Sequence, residues 1–264
     1  MIGMRKMKNS QIKKLSRKII RGNVKSSSVF IFLFVGGLIL FSVVPFAVNY
    51  YLEGSVFSLP ALAVILLLNG AAYGAFFAAS RAWFLFFKQK KRSVKTFYWF
   101  RPAKAVKSTG LYFSLFFKKL MWTLIFTSPG LLLITAAVLV AADGGVEFNL
   151  FATWIAGGAA LLLTGAVFLY IFLQRYFLVP YLKIINPTVK NRDIFSKSRE
   201  YMSGSIKKTA LMKLSFLPWF SLSAAVIPVF YVWAYYSQSC AVMAQDICRR
   251  QKERELSHLA QNEK

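Results

Sequence analysis

The sequence predicts an all-α, polytopic membrane protein: a helical bundle of six spans with both termini on the cytoplasmic side. Three observations predict it. Long intervals of the chain carry no charge at all, 34 Lys and Arg stand against 9 Asp and Glu, and the basic residues cluster in alternate gaps between the apolar runs. Hydrophobic residues make up 57% of the 264, and Phe alone occurs 26 times, too apolar a mixture for a soluble surface. A net charge of +25 on a soluble domain would suggest nucleic acid. Here the charges are shut out of the apolar runs and no basic stretch carries a nucleic-acid-binding signature, which excludes that partner.

The chain opens with a basic arm, residues 1–25, holding nine Lys and Arg. Ile12, Leu15 and Ile19 recur on one side of a helix, and Lys13, Lys14, Arg17, Lys18 and Arg21 cover the other. Such a helix lies in the headgroup plane. Each of these cations, and Lys25 after them, contributes about 1 kcal/mol against an anionic inner leaflet. The next interval, Ser26–Leu52, is 27 uncharged residues long, well beyond the apolar core of a cleaved signal.

A helix crosses the hydrocarbon core in about 20 residues. Ser26–Leu52, Gly54–Ser80, Leu120–Ala142 and Phe148–Gln174 each supply one crossing. The last interval, Leu214–Gln245, has 32 residues, with Pro218 and Pro228 inside it and Ser221-Leu222-Ser223 between them. Charge chooses between one long crossing and a hairpin. Ten Lys and Arg lie in 88–119 and nine in 175–213, while the gaps after the first and third spans carry only Glu53, Asp143 and Glu147. Cytoplasmic flanks carry the Lys/Arg excess. The tail beyond Asp246, with five more, joins them only if the last interval turns back near 222–228. The expected spans are therefore about 27–49, 56–80, 120–142, 149–173, 207–224 and 226–247, with cytoplasmic loops 88–119 and 175–206 and a polar tail 248–264.

Inside the spans, Gly70, Gly74 and Ala78 put small residues on one face, and Gly157, Gly158 and Gly165 thin the fourth span; both read as close helix-packing surfaces. Ionisable residues within a membrane are functional by default. Arg81, after 27 uncharged residues, is the candidate. It either snorkels to the headgroups or lines a cytoplasm-facing vestibule for an anionic solute or lipid headgroup. The lone His258, and Cys240 and Cys248, supply neither a metal site nor a triad. No phosphate-binding glycine loop occurs. No enzyme, cofactor or metal is expected.

Ser16-Arg17-Lys18-Ile19-Ile20-Arg21-Gly22-Asn23-Val24-Lys25 and Ser198-Arg199-Glu200-Tyr201-Met202-Ser203-Gly204-Ser205-Ile206-Lys207 share one pattern, each ahead of an apolar run. Ala105–Gly110 echoes it weakly. The pattern predicts three units, each a basic surface helix and a helical hairpin, with Arg199, Lys207 and Lys208 at the surface and Gly22 and Gly204 as left-handed helix stops.

Several of these residues resemble a known family. They are Ile12-Lys13-Lys14 with Gly22-Asn23, Ser128-Pro129-Gly130, Ser198-Arg199 with Met202 and Gly204, and Leu214-Ser215-Phe216-Leu217-Pro218-Trp219. They are similar to an uncharacterised multi-pass family of Gram-positive bacteria, a domain of unknown function related to the membrane domains of some glycerophosphodiester phosphodiesterases. Pro218 stands where that family often has glycine, and its acidic, tyrosine-rich end of the last helix is reduced here. The resemblance implies six spans in a bacterial plasma membrane and supplies no catalytic residue. The expected role is interaction or scaffolding, holding the bilayer's anionic inner-leaflet lipids, a membrane-protein partner or a second copy. A transporter or permease component for a small solute or lipid is the alternative.

Overall fold

A computed structural model describes residues 7–52, 58–87, 92–142, 147–222 and 226–262. Those residues are helical almost throughout, with no strand among them. Glu53, Asp143 and the turn expected near 222–228 fall wholly or partly outside them.

The first helix, α1 (Asn9–Arg21), runs into α2 (Val24–Leu52) through a two-residue turn closed by the Asn23 amide on the Ile20 carbonyl at 2.8 Å. Gly22 in that turn has φ −71°, an ordinary right-handed value, so the left-handed stop expected there is absent. A short turn bonded from Asn23 needs no positive φ. Gly204 does take one, at φ +73°.

α2 and α3 (Ser58–Leu85) pack antiparallel, with Phe30 stacked on Trp83 at 4.5 Å and Phe34 against Phe76 at 5.9 Å. Residues 88–119, expected as a loop, are largely helical where described. A short helix α4 (Arg92–Phe97) and a 3-10 turn lead back along α3, so that Phe100 meets Phe76 at 5.2 Å. Pro102 then starts α5 (Pro102–Ala142), a 41-residue helix. Proline suits a helix start because its missing N–H would have no partner there. The early turns of α5 run beside α3 in the same direction: Thr109 lies on Gly74, and Tyr112 meets Phe77 at 5.7 Å.

α5 forms a tight hairpin with α6 (Phe148–Leu173). Pro129 interrupts the ladder of α5 by withholding an N–H from the Ile125 carbonyl. The Ser128 hydroxyl reaches that carbonyl at 3.4 Å instead. Two stretches, Pro102–Ala142 and Phe148–Ile185, are long and apolar enough to cross a membrane, and only 11% of each apolar window is buried within the protein. Their outward faces present Leu131, Leu132, Leu139, Leu163, Val167 and Phe168.

A 3-10 turn and α7 (Val179–Ile185) lead to α8 (Asn191–Met202), then α9 (Ile206–Leu214), α10 (Leu217–Leu222) and the long α11 (Val226–Asn262). The segment expected as one span, 207–224, is broken at Ser215-Phe216. Pro218 accounts for the break, since it cannot bond the Leu214 carbonyl. α9 and α10 lie antiparallel to α11: Lys208 pairs with Asp246, and Phe216 packs on Tyr235 at 4.9 Å. α11 continues unbroken through the expected polar tail to Asn262. The core gathers around its middle, where Ala234, Cys240, Ala241, Met243, Ala244 and Ile247 are all buried.

The repeat is longer in space than in sequence. Lys8 and Lys190 both cap helices, with Ile12 and Ile194 amides on their carbonyls at 3.1 and 3.2 Å. Ile12, Ser16, Ile20 and Ser27 are buried, as are Ile194, Ser198, Met202 and Thr209 in the same register. Even the closing turns agree: Asn23 to Ile20 at 2.8 Å and Ser205 to Met202 at 2.9 Å. The middle echo differs. Ala105–Gly110 lies within α5, not at a junction between helices.

Candidate functional site

Four boundaries of the charge-free runs converge on one cavity of about 730 Å³. Arg81 follows the second run, Lys119 precedes the third, Gln174 ends the fourth and Lys213 precedes the last. All four line the cavity. α3 extends five residues past Ser80, so Arg81 sits within a helix and projects inward rather than off its end.

The arrangement is cationic. Arg81 donates to the Tyr181 hydroxyl at 3.5 Å, and its guanidinium stands 5.8 Å from that ring. Lys213 lies over the Phe177 ring at 4.5 Å. Lys119 feels the charge of Arg81, and Lys213 feels both. Among the described residues, no Asp or Glu lines the cavity. Like charges gathered in a low-dielectric space repel, so an anion entering it is favoured. Tyr73, Tyr112, Tyr170, Tyr176, Tyr181 and Tyr236 add hydroxyls around the walls. Gln174 is buried, donates its amide to the Tyr170 carbonyl at 2.8 Å, and leaves its own carbonyl oxygen unpaired.

The packing residues divide between two places. Gly74 fits against the backbone of Thr109, whose hydroxyl also donates to the Gly70 carbonyl at 3.1 Å; Gly70 and Gly74 thus form part of the cavity wall. Ala78 is buried in the core. Gly158 and Gly165 lie against Gly130 and Phe126 where α5 and α6 cross, and Gly157 touches Leu133.

The basic surface residues are not all alike. Lys14, Arg17, Lys18, Arg21, Arg199 and Lys207 are exposed. The side chain of Lys25 lies outside the described residues. Lys13, however, donates to the Ser215 carbonyl at 3.2 Å and covers the Phe216 ring at 4.6 Å. It closes a carbonyl at the α9–α10 break. Lys208 has only 12% of its side chain exposed and is bound to Asp246. The apolar side of α1, expected to lie on lipid, is covered by protein: Ile12 and Ile20 are fully buried and α1 packs along α11.

Of the cavity cations, Arg81 alone stands out in the sequence as a site residue. Lys119 and Lys213 lie in basic loops there, and the signal they carry is position, each the last cation before an apolar run. Asp246 was missed as well. Its buried carboxylate gathers Lys208, Arg249 and Arg250 at 3.3–3.4 Å.

No curated protein and no solved structure matches the chain. A family model described as "Protein of unknown function (DUF975)" matches residues 4–248, most of the chain, which therefore belongs to that family.

Proposed function

We propose that the chain is a six-span protein of a bacterial plasma membrane, N-in and C-in, whose cavity binds an anion at the depth of the inner-leaflet headgroups. One observation carries this reading: three cations from three separate helices share a cavity that no carboxylate among the described residues lines. Buried charge is costly without a counter-charge, and ionisable groups facing a cavity mark substrate or ion paths. The orientation follows from the Lys/Arg distribution, which makes every one of the four converging boundaries a cytoplasmic end. Between scaffolding and handling of an anionic ligand, the cavity favours the second. The scaffold reading draws on a separate feature, the exposed row of Lys14, Lys18 and Arg21 on α1, which suits the anionic leaflet surface.

The test is thermal unfolding of the purified protein in neutral detergent with added inorganic phosphate or sulfate at constant ionic strength. The wild type gains stability with phosphate, and Arg81→Gln does not. An equal response in both rejects the reading, as does a wild type that is stabilised neither by phosphate nor by an anionic phospholipid.

A further inference from the structure

We infer that the cavity ligand is an anionic phospholipid, seated with its phosphate among Arg81, Lys119 and Lys213 and entering sideways from the bilayer; this rests on the anion-binding reading above. The cavity is far larger than a phosphate ion needs, at about 730 Å³, and falls in the range of sites that enclose a sizeable organic ligand.

Its walls are divided by polarity. The cations, Gln174 and the tyrosine hydroxyls mark the polar part. Phe77, Phe113 and Phe116 mark the apolar part, yet these same rings are 39%, 62% and 58% exposed. A residue that both lines a cavity and faces outward marks its mouth. This mouth lies between α3 and α5 and is rimmed by exposed aromatic rings, a surface that suits acyl chains better than water. Gly70 and Gly74 continue the α3 wall from Phe77 on the same face of that helix, with Thr109 of α5 packed on Gly74.

The polar end contains two unfinished hydrogen-bonding groups. The Tyr112 hydroxyl and the Gln174 carbonyl oxygen are buried without a partner. Buried polar atoms ordinarily find one. The tyrosine would donate to a phosphate oxygen, and the glutamine would accept from a headgroup hydroxyl. A fully ionised anion such as sulfate satisfies the first group and leaves the second open. A hydroxyl-bearing phospholipid satisfies both.

The experiment uses full-length protein in neutral detergent with three probes: phosphatidylglycerol, diacylglycerol with the same chains, and inorganic phosphate. Native mass spectrometry reads the lipids and calorimetry reads phosphate. The expected result is one phosphatidylglycerol retained per chain, at least tenfold more weakly in Arg81→Gln, within a few-fold of wild type in Arg81→Lys, and unchanged in Lys197→Gln on the exposed surface of α8. Should Arg81→Gln fail to fold, Lys119→Gln and Lys213→Gln carry the same comparison. Diacylglycerol binding as tightly as phosphatidylglycerol overturns the inference, as does phosphatidylglycerol binding that ignores all three cations. Arg81-dependent binding of phosphate alone overturns the lipid and leaves the anion site standing. If neither phosphate nor phosphatidylglycerol binds, both readings fall.

Discussion

The Asp246 carboxylate meets the Lys208 ammonium at 3.4 Å, closing the open end of the hairpin that α9 and α10 make with α11. The carboxylate is fully buried and the lysine nearly so. Arg249 and Arg250 complete its shell at 3.4 and 3.3 Å. Removing one member of a buried charge cluster leaves the others uncompensated, at about 3 kcal/mol. Asp246→Asn is therefore expected to lower stability by about that amount in unfolding experiments in detergent. Asp246→Asn combined with Lys208→Met recovers part of the loss, because the stranded charge is gone.

The α5–α6 crossing gives a prediction of sign. A side chain at Gly165 would run into the Phe126 carbonyl, and one at Gly158 into Ile134. Gly165→Leu should cost about 1–3 kcal/mol through overpacking. Gly110, on the same hairpin, has nothing within 4 Å of an added methyl. Gly110→Ala should stabilise by about 0.5–1 kcal/mol, since alanine is the better helix former. Thermal melts of the two variants should move in opposite directions.

Ser16 and Ser198 hold equivalent places in the repeat and perform different tasks. Ser16 donates to Ile12 within its own helix at 2.8 Å, whereas Ser198 donates to the Arg175 carbonyl across a chain reversal at 2.8 Å. An unmade buried bond costs about 1–3 kcal/mol. Ser198→Ala is expected to fall in that range. Ser16→Ala should be nearly neutral, as the Ile12 carbonyl keeps its helical partner.

Tyr201 on α8 donates to Glu255 on α11 at 2.7 Å. Burial first, and the adjoining carboxylate second, push the Tyr201 hydroxyl above the usual tyrosine range. A raised folded-state value favours the folded state in full below the unfolded tyrosine value, about pH 10, and that contribution is lost as pH climbs through the raised value. Hydrogen exchange across residues 191–202 should stay slow up to about pH 10, after correction for intrinsic rates, and quicken above it. Tyr201→Phe should quicken it below about pH 10, by a bond worth about 1 kcal/mol, and the two proteins should converge above it. An unchanged profile in Tyr201→Phe would remove the link between the two helices.

Topology is open to direct labelling. With Cys240 and Cys248 replaced, single cysteines at 53, 145 and 225 should react with an impermeant maleimide on intact cells, and one at 257 only after permeabilisation. Labelling at 257 from outside, or silence at 225, contradicts the six-span arrangement.

The helical class, the basic arm and the apolar runs were legible because each rests on local pattern: charge exclusion, amphipathic spacing and length. The repeat was legible over ten residues, and the buried positions extend it to both sides, since Lys8 and Lys190 or Ser27 and Thr209 match in environment more than in identity. The partners of Lys13 and Lys208 were not legible for one reason. A lysine in a basic run looks like its neighbours until the partner arrives, and here the partners, Ser215 and Asp246, lie far along the chain.

The sequence by itself determined which stretches avoid water and which carry the positive charge, because hydropathy and charge are properties of residues counted in order. It marked Arg81, Lys119, Gln174 and Lys213 as edges of apolar runs. Only the tertiary structure decided that these edges enclose one cavity and that no carboxylate among the described residues lines it. The physical reason is distance. Whether a buried cation is neutralised depends on groups within a few ångströms, and their closeness is set by how α3, α5, α6, α9 and α11 pack.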